Sequence, residues 1–397
     1  NILSENKYKY AVLMGMGGSS LAPEVIRSIF QKDKYLKLYV LDSTNPDWIS
    51  NVKKEIKIQK TLFIFSSKSG GTIEPNSQFK YFYSELKKKV KKPGDNFIAI
   101  TDKGTSLETL AKKYSFKKIF INQGDIGGRF SALSYFGLIP ASLCGCDIKK
   151  LLNSSKDAMD EILSSDKNTA TVLGSFISKN YLSGRDKLTV ILPKKMKKFG
   201  LWIEQLVAES TGKENKGIVP VISTEILSED NCDNDRMFVI YQIKNFIDQV
   251  TEDMLNRLIS SGFPVLKIYI NDLYEIGKEF YRWEIATSIS GYFMKINPFN
   301  QPDVESSKQL TRKVLEKDNF DIKPINHLKV CELYSANIEF KDNIKSYEQL
   351  FIELFNQKEE GTYYSICAYM ENSDRVEDIL ENLSRSITIA TQGACVY

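Results

Sequence analysis

Tyr10-Ala-Val-Leu-Met14 runs directly into Gly15-Met16-Gly17-Gly18-Ser19-Ser20, and a helical pattern with Pro23 in its first turn follows. An apolar run with no polar alternation reads as a strand covered on both faces, which is the habit of parallel sheets. Glycines followed by serines suit a tight turn that opens a helix, where free backbone N–H groups favour an anion. The same unit recurs along the chain. Leu38-Tyr-Val-Leu41, Leu62-Phe-Ile-Phe65, Phe97-Ile-Ala-Ile100 and Ile119-Phe-Ile121 read as further strands, separated by amphipathic helices such as Ile73 to Val90. The rhythm predicts an α/β class, a parallel sheet wrapped by helices.

A second series begins at Leu188-Thr-Val-Ile-Leu192 and continues through Met237-Phe-Val-Ile240 and Val265-Leu-Lys-Ile-Tyr269. Tyr363 to Tyr369 and Ile387 to Ala390 extend it as candidate strands. A helical stretch from about Ile148 to Tyr181 links the halves, with a boundary near Ser164-Ser165-Asp166. The expected units are therefore 1–165 and 166–397. Residues Glu316 to Ser346 have mixed patterning and receive no assignment.

Composition narrows the class. A chain of 397 residues exceeds one compact core, and 42% hydrophobic with 26% charged residues is ordinary for a globular protein. The net charge of +4 arises from 54 basic and 50 acidic residues, which gives no argument for nucleic acid or a membrane surface. The basic runs Lys87-Lys88-Lys89 and Lys194-Lys195 read as solvated. Six scattered cysteines match no zinc or disulfide spacing, so a reducing cytoplasm without metal or cofactor is expected. No stretch is long and apolar enough to span a bilayer, and no secretory signal stands at the start. Because the first residue is Asn1, a removed amino terminus or a longer parent protein is expected.

In open parallel sheets ligands gather at the carboxyl ends of strands, so those loops carry the chemistry. Gly15–Ser20 is one; it lacks the third glycine of a dinucleotide-binding fingerprint. Ser66-Ser67-Lys68-Ser69-Gly70-Gly71-Thr72 is another, a dense set of hydroxyl and N–H groups suited to a phosphate monoester and without the lysine spacing of a nucleotide loop. Gly127-Gly128-Arg129-Phe130-Ser131 sets a guanidinium at a helix start, able to meet developing negative charge. Trp202 to Lys213 reads as a helix ending at Gly212, with Gln205 and Glu209 on one face and Glu204 on another, solvated face. Glu209, ending a largely apolar helix, suits a general base. Asn297-Pro-Phe-Asn-Gln301-Pro-Asp303 leads into a helix that carries Lys308 in its second turn. Taken singly, each segment also has a bland reading as a ligand-free turn or a solvated charge, weakest for the serine-rich turn and strongest for Lys308.

Together and in this order, the five segments resemble the glucose-6-phosphate isomerase family, over about residues 10–310. Ser67–Pro75, Glu209–Lys213 and Ile296–Val304 are most similar to the isomerase half of bifunctional transaldolase/glucose-6-phosphate isomerase proteins. The resemblance implies two sugar-isomerase (SIS) domains, each a mainly parallel sheet between helices, and metal-free interconversion of an aldose and a ketose phosphate. It implies that Gly18 and Ser19 line the sugar site, and that Ser67, Ser69, Thr72 and the backbone at Lys68 and Gly71 hold the phosphate. It further implies that Arg129 stabilises an enediolate, that Glu209 moves the proton with Gln205 beside it, and that Lys308 assists at the ring oxygen near Gln301. A homodimer is implied, as is a transaldolase domain ahead of Asn1.

One departure stands out. The family uses a histidine to open the sugar ring, and His327 is the only histidine here, outside all five segments. Either His327 or a residue beyond Tyr397 is expected to fill that role. Two alternatives follow: a sugar-phosphate-binding regulator on the same fold without catalysis, and an isomerase that also accepts mannose 6-phosphate.

Overall fold

The computed structural model describes residues 7–244, 249–316, 324–328, 331–335, 340, 344–359 and 361–397. Its first half alternates strands β1 (Tyr10–Met14), β2 (Lys37–Leu41), β3 (Thr61–Ser66), β4 (Phe97–Asp102) and β5 (Lys118–Asn122) with helices α1 (Leu21–Phe30), α2 (Pro46–Glu55), α3 (Ile73–Lys87), α4 (Ser106–Lys113) and α5 (Tyr135–Cys144). The strands pair in parallel, in the order β2-β1-β3-β4-β5. Successive side chains on a strand face opposite ways. On β3, Leu62 and Ile64 therefore enter one core, while Phe63 and Phe65 enter another built with Phe79, Phe82 and Phe97. All six β3 residues are buried, which is why this strand shows no polar alternation.

Two helices, α6 (Ile148–Ser164) and α7 (Thr169–Leu182), lead to the second half. There β6 (Lys187–Ile191), α8 (Lys197–Thr211), β7 (Val219–Ser223), β8 (Arg236–Ile243), α9 (Gln249–Ser260), β9 (Val265–Ile270) and α10 (Ile276–Met294) form a parallel sheet of order β7-β6-β8-β9 with its helices. The remainder comprises α11 (Pro302–Leu315), the antiparallel pair β10 (Asn326–Leu328) and β11 (Cys331–Leu333), α12 (Tyr347–Phe355), β12 (Tyr363–Ser365), α13 (Asp374–Thr391) and β13 (Ala394–Val396), with β12 and β13 parallel. Among the described residues no helix is long and apolar enough to cross a membrane.

The expected boundary at 164–166 falls in the turn between α6 and α7. The packing does not stop there. One core cluster joins Leu13, Ile64 and Ile100 of the first sheet to Leu188, Val190 and Met237 of the second, through α1, α5, α8 and α10. The two sheets thereby pack against a shared helical layer.

Two expectations about elements need correction, and one strand was not foreseen. Ile387 to Ala390 is not a strand but part of α13. Its β-branched residues misled, yet the buried positions Ser384, Ile387 and Thr388 are spaced as one helical stripe. Tyr363 to Tyr369 shortens to the three residues of β12. Strand β7 went unread because Pro220 interrupts it; a proline cannot donate to a ladder and is tolerated at a sheet edge, where β7 lies.

Candidate active site

Three of the other loop segments meet around the glycine turn that follows β1, and the fifth joins them through Arg129. Gly15 abuts the Ser66 carbonyl, and Ser66 Oγ donates to the Ser19 carbonyl at 3.2 Å. On the other side, a Cβ on Gly18 would lie 2.1 Å from the Gly128 carbonyl oxygen, so only glycine permits this approach. Ser131 Oγ closes the same contact by donating to the Gly18 and Gly128 carbonyls. The third wall is α8: the side-chain amide nitrogen of Gln205 stands 2.5 Å from the position of a Cβ on Gly17.

Arg129 sits at the centre, in a short 3-10 turn spanning Gly128–Phe130. Its side chain is 3% exposed, against 33% for Glu209. Nε donates to Ser210 Oγ at 3.0 Å; Nη1 donates to Glu209 Oε2 at 3.1 Å and Gln301 Oε1 at 2.6 Å. Nη2 donates to the carbonyls of Pro298 and Asn300 at 3.0 and 3.2 Å. A guanidinium has five N–H donors in a fixed fork, and here each is occupied. Arg129 thus fixes the base candidate and clamps the 298–301 turn at once. Glu209 receives a second bond on Oε1 from Gln205 Nε2 at 3.0 Å, which leaves its carboxylate oriented from both sides while still open to solvent.

The 298–301 turn is held from two more directions. Lys213 Nζ, buried, donates to the Asn297 and Asn300 carbonyls at 2.8 and 2.7 Å and to Asn300 Oδ1 at 3.0 Å. Behind it, Gly291 of α10 leaves room for Pro298: a Cβ at 291 would stand 2.8 Å from the proline ring. Neither Ser210, Lys213, Asn300 nor Gly291 was given a role by the sequence. Ser210, Lys213 and Asn300 lay inside quoted motifs, which is the signal that was available.

The serine-rich turn is preformed. Ser67 Oγ accepts from Gly70 N at 3.1 Å and lies 3.3 Å from Thr72 Oγ1, and Ser69 Oγ accepts from Gly71 N at 3.4 Å. Lys68 turns its ammonium away, onto Asp102 and the Gly124 carbonyl, so its backbone rather than its charge faces the turn. Helices α2, α4 and α5 begin with side-chain caps from Asn45, Thr105 and Ser134. Helices α1 and α3, which start at the glycine and serine turns, have no capping side chain on Ser20 or Thr72. Their first N–H groups are thus left for another acceptor.

Other predicted residues lie apart from this cluster. Lys308 is exposed on α11 and is not among the partners of Arg129 or Glu209. His327 is exposed in the β10–β11 ribbon, its Nδ1 4.0 Å from Glu332. Gly212 does end α8, but at φ −74 rather than in the left-handed region; glycine is needed because a Cβ would stand 2.7 Å from the Ala208 carbonyl. Glu204 is not solvated. It lines a cavity of about 520 Å³ behind the glycine loop, with Met16, Asp42 and Glu74, and burial pushes its carboxyl up to about 7. Burial and the nearby Glu24 raise Asp42 to about 6 in the same place. Glu209 does not line that cavity.

The chain as a whole has recognisable relatives. The phosphoglucose isomerase family model matches residues 4–243. The chain is 28% identical over 411 residues to glucose-6-phosphate isomerase of Prochlorococcus marinus, covering 93% of this chain and 78% of that protein. It is 29% identical over 358 residues to glucose-6-phosphate isomerase of Mycoplasma mycoides, covering 77% and 82% respectively. Among solved structures, a glucose-6-phosphate isomerase from Chlamydia trachomatis superposes with a TM-score of 0.66 at 18% identity, over 79% of this chain and 71% of that one. At that identity the superposition speaks for the fold.

Proposed function

Because this chain belongs to the phosphoglucose isomerase family and is an aldose–ketose isomerase of glucose 6-phosphate and fructose 6-phosphate, we propose that Glu209 is the base that moves the proton. The observation that carries this reading is the double anchoring of one partly exposed carboxylate, by Arg129 on Oε2 and Gln205 on Oε1. A proton alpha to a carbonyl is a very weak acid, and its removal requires a base held in register together with positive charge near the forming enediolate. Glu209 takes the proton from C2 of the open-chain aldose. The electron pair moves into a C1–C2 double bond, and the carbonyl oxygen becomes the enediolate. Return of the proton to C1, with proton exchange between the two oxygens, gives the ketose. A cis-enediol keeps C1 and C2 adjacent, so one carboxylate serves both.

Arg129 contributes its charge rather than a free donor, since its five N–H groups are engaged within the chain. Gln301 accepts from Arg129 through Oε1, which directs its amide NH₂ elsewhere, toward substrate. The phosphate rests on Ser67, Ser69, Thr72 and the N–H groups of Lys68 and Gly71 at the uncapped start of α3, with Gly18 and Ser19 lining the sugar. Lys308, exposed on α11, assists at the ring oxygen.

Further parts of the reading rest on the resemblance. Residues 1–165 hold the phosphate and 166–397 bring the base. A homodimer is supported by exposed Tyr292, Phe299 and Leu310, at 77%, 62% and 61%. A transaldolase domain ahead of residue 1 is supported by the three motif segments alone. Cytoplasmic location fits the scattered free thiols.

The test is Glu209→Gln. Turnover should fall about 10³-fold or more while a non-reactive sugar-phosphate analogue still binds. Undiminished turnover removes Glu209 from the mechanism.

A further inference from the structure

A further cavity lies in the second half of the molecule, and Glu209 does not line it. Thr189 and Ile191 of β6, Val221 of β7, and Arg236 and Phe238 of β8 point from one face of the second sheet into a cavity of about 350 Å³. Helix α13 covers it, contributing Ser384 and Thr388, with Cys395 of β13 beside them.

The unusual group is Arg236. The residue is 1% exposed, and its Nε and Nη2 meet no hydrogen-bond acceptor. Of the neighbouring carboxylates, Glu381 takes Lys197 at 2.7 Å, Glu225 takes Arg385, and Asp235 takes Lys187 at 3.2 Å through Oδ2, its buried Oδ1 being left without a hydrogen-bond partner; Asp378 also lines the cavity. Among the described residues no carboxylate lies within ion-pair distance of Arg236. In the same cavity Thr189 Oγ1, 4% exposed, also lacks a partner.

Covalent geometry makes the pattern specific. Nε–H and one Nη2–H project in parallel from a single edge of the planar guanidinium, the edge that receives two oxygens of one acidic group. Those are the two nitrogens left without partners. A buried lysine or carboxyl can relieve its charge by changing protonation, but arginine cannot. Water can meet the N–H groups but brings no charge to pair with the guanidinium at contact distance. A small anion meets both needs.

We propose that this cavity binds a small organic anion, whose carboxylate or phosphate monoester engages the Nε/Nη2 edge of Arg236 with Thr189 alongside and whose body lies against Ile191, Val221 and Phe238. No residue of the Arg129–Glu209 cluster takes part, so the site stands or falls independently of the isomerase mechanism.

Isothermal titration with succinate, and separately with inorganic phosphate, both at constant ionic strength, tests it. The difference between the parent and Arg236→Met isolates this cavity from any response of the serine-rich turn. Saturable binding should weaken at least about tenfold in Arg236→Met and in Arg236→Lys, which keeps the charge and loses the fork, and about threefold in Thr189→Val. A response to succinate alone identifies a carboxylate ligand, and a response to phosphate alone a phosphate ester. Should Arg236→Met fail to fold, Arg236→Lys decides. Binding of neither probe, or equal binding by parent and Arg236 variants, overturns the proposal and leaves the cavity to water.

Discussion

The two halves of the molecule bring different materials to one site. The first sheet brings backbone and hydroxyls, in the turns after β1 and β3, at helix starts without side-chain caps. The second half brings Gln205 and Glu209 from one face of a helix, and Gln301 from a turn braced by Lys213. In the proposed roles, a phosphate handle has fixed charge and wide tolerance, so N–H groups and serines suffice. A proton-transfer base has to be aimed, which takes side chains whose own partners are fixed. Arg129 belongs to the first half by sequence but bonds only to residues of the second, and it joins the two materials.

This contrast can be broken most sharply at the joint. Arg129→Lys keeps a charge but cannot supply five directed donors, so kcat should fall about 100-fold with KM nearly unchanged; an equal rise in KM would mean that Arg129 serves binding instead. Next in size is Gly18→Ala, which drives a methyl into the Gly128 carbonyl and separates the loops. A loss of about 2 kcal/mol in denaturant unfolding is expected, with activity reduced in the folded fraction. On the binding side, Ser67→Ala should raise KM roughly tenfold and leave kcat within about threefold, the reverse of the arginine variant.

The smallest expected effect separates the two carboxylates of α8. Glu204 has a folded pKa of about 7, above its ordinary value of 4.5, so the folded chain holds a proton that the unfolded chain has released. Stability therefore falls as pH rises from about 4.5 to 7 and stays lower beyond. Glu204→Gln should be more stable than the parent above pH 7 by about 1–2 kcal/mol, and close to it at pH 4.5, in thermal or denaturant melts. An advantage that is independent of pH would mean that burial of the charge is not the cause.

Much of this was legible in the sequence, for identifiable reasons. The apolar runs of β1 and β3 announce strands because both faces are covered, and that condition needs no distant information. The serine-rich turn and the Gln205–Glu209 pair are local in sequence and so could be read directly. What stayed hidden depends on distance along the chain. Arg129 meets Ser210 across 81 residues and Gln301 across 172, and no local pattern announces that its five donors are filled at home. Glu204 looked solvated because helical periodicity places it off the Gln205–Glu209 face, but periodicity does not say what covers that second face. The Ile387–Ala390 segment failed for another reason: residue preference for strands was outweighed by the tertiary packing of α13.

Gly291 bears on how inactive variants of this enzyme are to be understood. It carries no functional group and is buried in a helix, yet the absence of a side chain there lets Pro298 settle, and Pro298 offers its carbonyl to Arg129. A random survey for lost activity should therefore return substitutions at 291 beside those at 209. A reader ranking hits by chemical capability would discard the glycine as noise, although it sets the seat on which the arginine rests.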